Sequence, residues 1–286
     1  MKSLDEARVA IVGLGLMGGS MAGALQGKCR AVHGIARRQE TIVLARERGF
    51  IDQGSLDLAD GLRDADIVIL STPVRTIIRL LKEIGPFLTP GCLVMDLGST
   101  KAEITAQMDQ LPQTVHPVGG HPMCGKEVAG LEAAEARLFV GRPFVICPLP
   151  RTGSDSLTLA HDVVEAVGAR PIEIDPERHD RLVAQVSHLP YLIASALVTH
   201  TDAVASVDPL VWQLASSGFR DTSRLAACDV TMMLDILVTN RRAVASALEA
   251  YGEQLRSAAQ LIASEDEAGL QRLLDGVSQR RKDLFE

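Results

Sequence analysis

Residues 9–25 read VAIVGLGLMGGSMAGAL, from Val9 to Leu25, without one charged side chain. A helix crossing a bilayer needs about 20 apolar residues, and the glycines at 13, 15, 18, 19 and 23 weaken any helix here. A secretory signal needs basic residues ahead of its apolar run and a small-residue cleavage site behind it. Here Asp5 and Glu6 stand in front, and no such site follows. Arg8 to Val12 instead reads as a short buried strand, rich in β-branched side chains and stopped by Gly13. Gly13-Leu14-Gly15-Leu16-Met17-Gly18 then fits G-x-G-x-x-G between a strand and a helix. The first glycine permits the tight turn, the second admits a pyrophosphate to the backbone, and the third lets helix and strand pack closely. Free N–H groups and the positive end of the helix dipole would hold the phosphates. The stretch is read as a nucleotide site.

The remaining sequence bounds what such a site serves. At 286 residues and 47% hydrophobic, the chain can build a sizeable core and two domains. A net charge of −7 argues against general nucleic-acid or membrane-surface binding. The five cysteines (29, 92, 124, 147, 228) form no C-x-x-C pair, which suits reduced thiols in a cytoplasm. The histidines show no short metal motif, so no catalytic metal is expected.

Strands are expected at Val9–Val12, Ala31–Ile35, Ile67–Leu70, Leu93–Leu97, Phe144–Cys147 and Pro171–Ile174. Helical stretches such as Glu40–Glu47 and Thr76–Ile84 separate several of them, the order of a mainly parallel, doubly wound sheet. After Asp175-Pro176 no strand follows. Apolar residues recur at helical spacing (Leu182, Val186, Leu189, Ile193, Leu197), and a second long helical pattern runs from about Val230 to Ile262. The domain boundary is therefore expected near 175, dividing the chain into 1–175 and 176–286. Apolar stripes too long to bury within one chain imply a homodimer, with residues from about 180 to 263 at its interface.

In dinucleotide folds an acidic residue closing the second strand takes the ribose hydroxyls of NAD. That strand end here carries Ala36, then Arg37 and Arg38. Two cations without a facing carboxylate suit the 2′-phosphate of NADP, so NADP is expected over NAD. Ser71-Thr72-Pro73, closing another strand, is expected to line the nicotinamide side.

Further polar stretches are left idle by a purely structural account. MDLGSTKAEI ends a buried strand with Ser99 and Lys101, and VGGHPMCGKEVAG sets His121 in a glycine-proline turn ahead of Lys126 and Glu127. VSHLPYLIASAL carries Ser187 and His188 before Pro190, which should kink the helix and open space beside both side chains. SSGFRDTSRLA concentrates Arg220, Asp221 and Arg224.

With GLGLMGGS, STPV, DLGSTK, GGHPM, SHLP and SSGFRDTSR in this order, the sequence resembles the prephenate/arogenate dehydrogenases of tyrosine biosynthesis, the TyrA family, over nearly its whole length. The resemblance implies an α/β Rossmann-like dinucleotide-binding domain followed by an all-α dimerisation domain. It implies oxidative decarboxylation of a cyclohexadienol to an aromatic product, the substrate being arogenate or prephenate. His121 takes the place of the family's catalytic histidine, and a base titrating near neutrality suits that role. Ser99 matches a serine that bonds this histidine and the substrate hydroxyl, and would fix the tautomer. Arg224 matches the arginine that holds the ring carboxylate. Asp221 is expected to orient Arg224, and Arg220 to meet the side-chain carboxylate. His188 and Ser187 are expected beside the substrate, although many relatives carry a second histidine where Tyr191 stands. Glu127 is the nearest carboxylate for an ammonium group, which leans the substrate towards arogenate. Cys124 is read as a space-filler, because the reaction needs no covalent intermediate. No fused mutase or regulatory domain is expected. The rivals are another two-domain hydroxy-acid dehydrogenase, which would use a different catalytic set, and a silent NADP-binding regulator, which should have lost a site residue.

Overall fold

Eight strands build one sheet: β1 (Arg8–Val12), β2 (Ala31–Ile35), β3 (Gln53–Ser55), β4 (Ile67–Leu70), β5 (Leu93–Asp96), β6 (His116–Pro122), β7 (Pro143–Pro148) and β8 (Arg170–Glu173). The computed structural model describes residues 1–126 and 128–285. The spatial order is β3-β2-β1-β4-β5-β6-β7-β8, parallel throughout except where β7 runs antiparallel to β6. Helices α1 (Leu16–Leu25), α2 (Gln39–Glu47), α3 (Leu58–Leu62), α4 (Val74–Glu83), α5 (Ala102–Met108) and α6 (Ser154–Ala166) alternate with these strands. The central strands β1, β4 and β5 are almost wholly buried because helices cover both faces. Their apolar side chains divide between two cores, one under α1 and α6, the other under α4 and α5.

Every strand expected from sequence is present within a residue at either end. The two that sequence did not reveal have opposite reasons. β3 is only Gln-Gly-Ser at the sheet edge, so it carries no apolar signal. β6, His-Pro-Val-Gly-Gly-His-Pro, looks like a turn but lies inside the sheet. A Cβ at Gly120 would stand 2.5 Å from the carbonyl oxygen of Asp96, so glycine serves close strand approach there. His121 is consequently a strand residue, paired with Val145 of β7, and the expected turn is corrected.

Beyond Asp175 the described residues form helices and turns only: α7 (Pro176–Val183), a π turn (Ala184–His188), α8 (Leu189–Ala205), α9 (Leu210–Leu214), α10 (Ser217–Ser223), α11 (Val230–Thr239), α12 (Arg241–Ala263) and α13 (Glu267–Phe285). Asp175 starts α7 by accepting the N–H of Arg178, with Pro176 in the first turn. Pro190 has no N–H for the carbonyl of Val186, and the helix answers with the π turn just before it. His188 is buried there while Ser187 is exposed. The expected long helix from Val230 is likewise interrupted, at Asn240, whose φ of −111° and ψ of 27° leave the helical region.

Two compact units result, Met1–Arg241 and Arg242–Glu286. Within the first, α11 docks on α4, Asp235 accepting the Arg75 N–H at 3.1 Å, and Thr239 meets Thr100 at 2.8 Å. The second holds two helices joined at Ser264–Asp266, where Asp266 accepts the Gly269 N–H at 2.9 Å. Pro176–Ala205 is long and apolar enough, by length and composition, to cross a membrane, with a mean hydropathy of 1.4. It nevertheless buries His179, Asp180 and His188, polar groups bound within the first unit.

Candidate active site

The strand order reverses between β1 and β4, and open α/β sheets bind ligands at the carboxyl ends of strands around such a point. Gly13 follows β1 with φ +99°, and a Cβ on it would stand 2.6 Å from the Ser71 carbonyl oxygen and 2.7 Å from Thr72 Cγ2. The protein itself therefore demands glycine at this position. Gly15 differs: a Cβ there would meet nothing within 4 Å, so the bare backbone faces open space of the kind a pyrophosphate takes. Beside it, Ser71 Oγ and Thr72 Oγ1 are buried without a hydrogen-bond partner, as groups awaiting a ligand would be. Gly18 packs on Gly13 and Ser71, which brings α1 onto the strand ends. Arg37 and Arg38 are exposed beyond β2 and enter no ion pair among the described residues; Ala36 is half-buried. These residues fit a nicotinamide dinucleotide.

Along the same sheet edge, the ends of β5 and β6 carry charge. Asp96 is fully buried and accepts the N–H groups of Gly98 at 2.8 Å and Gly120 at 3.0 Å, as well as the ammonium of Lys101. Lys101, also fully buried, donates to the Gly120 carbonyl at 2.6 Å. A buried ion pair is tolerable only when its remaining donors and acceptors are satisfied. Here the pair spends them on the residue preceding His121.

His121 Nδ1 lies 2.8 Å from His179 Nε2, and His179 Nδ1 lies 2.8 Å from Asp180 Oδ1. The Asp180 carboxylate also accepts the N–H groups of Lys101 at 2.7 Å and Ala102 at 2.9 Å, opening α5. Because the carboxylate accepts, His179 presents Nδ1–H to it, and its Nε2 is then the acceptor for His121 Nδ1–H. That leaves His121 Nε2 with a free lone pair, the tautomer of a general base. Desolvation holds the His121 pKa well below its usual 6.5, with repulsion from His179, Lys101 and His188 acting in the same direction. The ring is thus neutral at pH 7 with Nε2 free, and burial holds it below the near-neutral range expected of the base.

The expected tautomer-fixing partner is corrected in the same way: His121 is held by His179, whereas Ser99, half-buried after β5, makes no hydrogen bond to it. His179 and Asp180 were not singled out from sequence. They sit among charges in PERHDRLV, which reads as a solvated helix start; the one available signal was their helical spacing with Val183 and Ala184. Arg220 donates to Asp221 at 3.2 Å, both exposed, so the aspartate is engaged by its neighbour. Arg224 opens the 3₁₀ turn Arg224–Ala227 that packs against α8. Glu127 lies outside the described residues. Cys124 packs against the sheet core, and burial pushes its thiol up to about 11, so no thiolate nucleophile stands beside His121 at neutral pH.

Comparison with known proteins agrees with this arrangement. The family description "Prephenate dehydrogenase, nucleotide-binding domain" matches residues 21–173, and "Prephenate dehydrogenase, dimerization domain" matches residues 175–276. The chain belongs to the prephenate dehydrogenase family. It is accordingly an NAD(P)-dependent dehydrogenase with a Rossmann-like nucleotide-binding part and a helical dimerisation part. It is 33% identical to a prephenate dehydrogenase of Lactococcus lactis, over 94% of this chain and 75% of that protein. Prephenate dehydrogenase from Aquifex aeolicus, crystallised with hydroxyphenyl propionate and NAD+, superposes with a TM-score of 0.91 at 33% identity, covering 99% of this chain and 100% of that one. The arogenate dehydrogenase of Synechocystis superposes with a TM-score of 0.86 at 33% identity, covering 97% and 99%.

Proposed function

We propose that this dehydrogenase oxidatively decarboxylates arogenate in preference to prephenate, with NADP+ preferred over NAD+, in the formation of tyrosine. The observation that carries the reaction class is the Asp180–His179–His121 chain, which leaves His121 Nε2 unprotonated at the sheet edge that carries the glycine loop. Bound there, the dinucleotide supplies the hydride acceptor. His121 takes the proton of the ring hydroxyl as C4 loses its hydride and becomes a carbonyl carbon. The C1–carboxylate bond then breaks and its electron pair enters the ring, releasing CO2 and turning the C4 oxygen into a phenolate. Return of the proton completes the phenol. In this reading Ser99 bonds the ring hydroxyl, and Arg224 holds the ring carboxylate until it leaves. Arg220, Asp221, Ser187 and His188 form the surrounding substrate wall.

The preference for arogenate rests on Glu127, a carboxylate six positions after the base, and is in keeping with the similarity to an arogenate dehydrogenase. The preference for NADP+ rests on Ala36, Arg37 and Arg38, although one similar structure holds NAD+. Residues 1–175 carry the cofactor and 176–286 the dimer contact. Exposed Leu182, Val186, Leu214 and Val230 supply the apolar faces for a second copy. Five free cysteines accord with a cytoplasmic setting. Steady-state assay of both substrates with both cofactors tests the whole reading. Higher kcat/KM with prephenate or with NAD+ removes that preference alone; no turnover with any pair removes the function.

A further inference from the structure

Asp180 is bound from two directions. Its carboxylate roots the chain to His121, while its main-chain carbonyl accepts Asn240 Nδ2 at 2.7 Å. The same Nδ2 lies 3.2 Å from His188 Nδ1, and all of these groups are buried. A carbonyl oxygen can only accept, so the Asn240 atom facing it is the amide nitrogen, and the orientation of that amide follows. The second amide hydrogen then falls to His188, whose Nδ1 must accept it. A neutral imidazole with a bare Nδ1 carries its proton on Nε2.

We propose that Asn240 is a positioning residue that holds His188 as an Nε2–H donor, so that Asp180 sets two histidines in opposite senses, His121 as acceptor and His188 as donor. Burial keeps His188 neutral, its pKa brought down to about 4, so the ring donates without carrying charge at pH 7. A fixed neutral donor suits a substrate oxygen that gains negative charge during the reaction. Resting on the function proposed above, the inference assigns that oxygen as the one on C4: it has given its proton to His121 and becomes phenolate as CO2 departs. An acceptor and a donor of fixed polarity serve the two halves of that sequence.

The test reads the tautomer first and the rate second. Two-bond 1H–15N spectra of the whole protein at pH 7.5, with the His188 signals assigned by their loss in His188→Gln, should show His188 protonated on Nε2 and bare at Nδ1. A His188 protonated on Nδ1 overturns the proposal, whether or not the protein turns over any substrate. Asn240→Asp places an acceptor where the donor stood. It should reverse the His188 tautomer, raise the acidic limb of the kcat profile and lower kcat about 10²-fold with little change in KM, the usual effect of losing one oxyanion donor. Should that variant not fold, Asn240→Ala is expected to give a mixture of His188 tautomers and a smaller loss of kcat. An unchanged tautomer with unchanged kcat in a folded variant, or a loss confined to KM, overturns the assignment. If the wild type accepts neither arogenate nor prephenate, only the functional reading fails, and the spectrum still decides the tautomer.

Discussion

Two neighbouring mouths of one sheet handle polar groups in opposite ways. At the ends of β1 and β4 the chain is glycine-rich and uncharged, and two buried hydroxyls, those of Ser71 and Thr72, have no partner. At the ends of β5 and β6 it buries Asp96, Lys101, His179, Asp180 and His188, and among the described residues none of these leaves a buried polar atom unpaired. An unpaired buried group costs about 1–3 kcal/mol, so it persists where something else fills it. The first mouth is thus shaped for a ligand that comes and goes. The second is bonded internally at every one of these residues and leaves only the ring Nε2 atoms of His121 and His188 to meet a substrate, because its task is to keep protons on particular nitrogen atoms.

The contrast is most sharply broken at His121. His121→Asn should lower kcat by about 10²–10⁴-fold while leaving dinucleotide affinity unchanged in a binding titration. Near-normal kcat would mean that the polar mouth holds structure alone. Lys101→Met should act on folding, since it strands the Asp96 carboxylate in the core. A loss of about 3–5 kcal/mol in denaturant unfolding is expected, and a loss under 1 kcal/mol would show that water replaces the ammonium.

Acidification probes the same mouth. His188 titrates near 4 in the fold against 6.5 when unperturbed, so between those values the unfolded chain binds more protons than the folded one. Stability from this group is complete above pH 6.5 and is lost as pH falls towards 4, by about 3 kcal/mol at most. The depressed His121 acts in the same direction. Urea unfolding between pH 7.5 and 4.5 should show the decline, and His188→Gln should make it shallower; equal slopes would contradict the assignment.

The glycine mouth should respond in the reverse manner. Gly15 has ordinary angles, φ −90° and ψ −155°, so Gly15→Ala should change stability by no more than about 0.5 kcal/mol. Dinucleotide affinity should fall about tenfold or more, a cost of at least about 1.4 kcal/mol. A stability loss without an affinity loss would make that glycine structural. Smallest of all, Ala36→Asp should narrow the ratio of kcat/KM for NADP+ over NAD+, by about tenfold or less; an unmoved ratio would detach Arg37 and Arg38 from cofactor choice.

The same contrast explains what could be read from the sequence. The glycine mouth is local: a strand, its turn and its helix lie within Arg8–Leu25, and hydrophobic pattern plus glycine spacing suffices. The polar mouth joins residues 96, 101, 121, 179, 180, 188 and 240, whose partners lie up to 79 positions apart. His121 was legible through its motif, but the strand carrying it was not, because Pro117, Gly119, Gly120 and Pro122 mimic a turn. His179 carried only its helical spacing with Val183, inside a charged helical segment, and Asn240 carried no local signal, sitting at an unforeseen helix break.

The π turn at Ala184–His188 carries a consequence for insertions and deletions. A π turn accommodates one residue more than an α turn, and each residue advances an α-helix by about 100°. The extra residue is absorbed within the turn, so deleting one residue there would restore a regular helix and leave the faces on either side nearly in phase. A deletion elsewhere in α7 or α8 would instead swing one side by about that angle. Either His179 and Asp180 or the apolar surface of α8 would then face the wrong way. Single-residue changes of length outside the π turn should therefore be as damaging as loss of the base itself, and a deletion within it far milder.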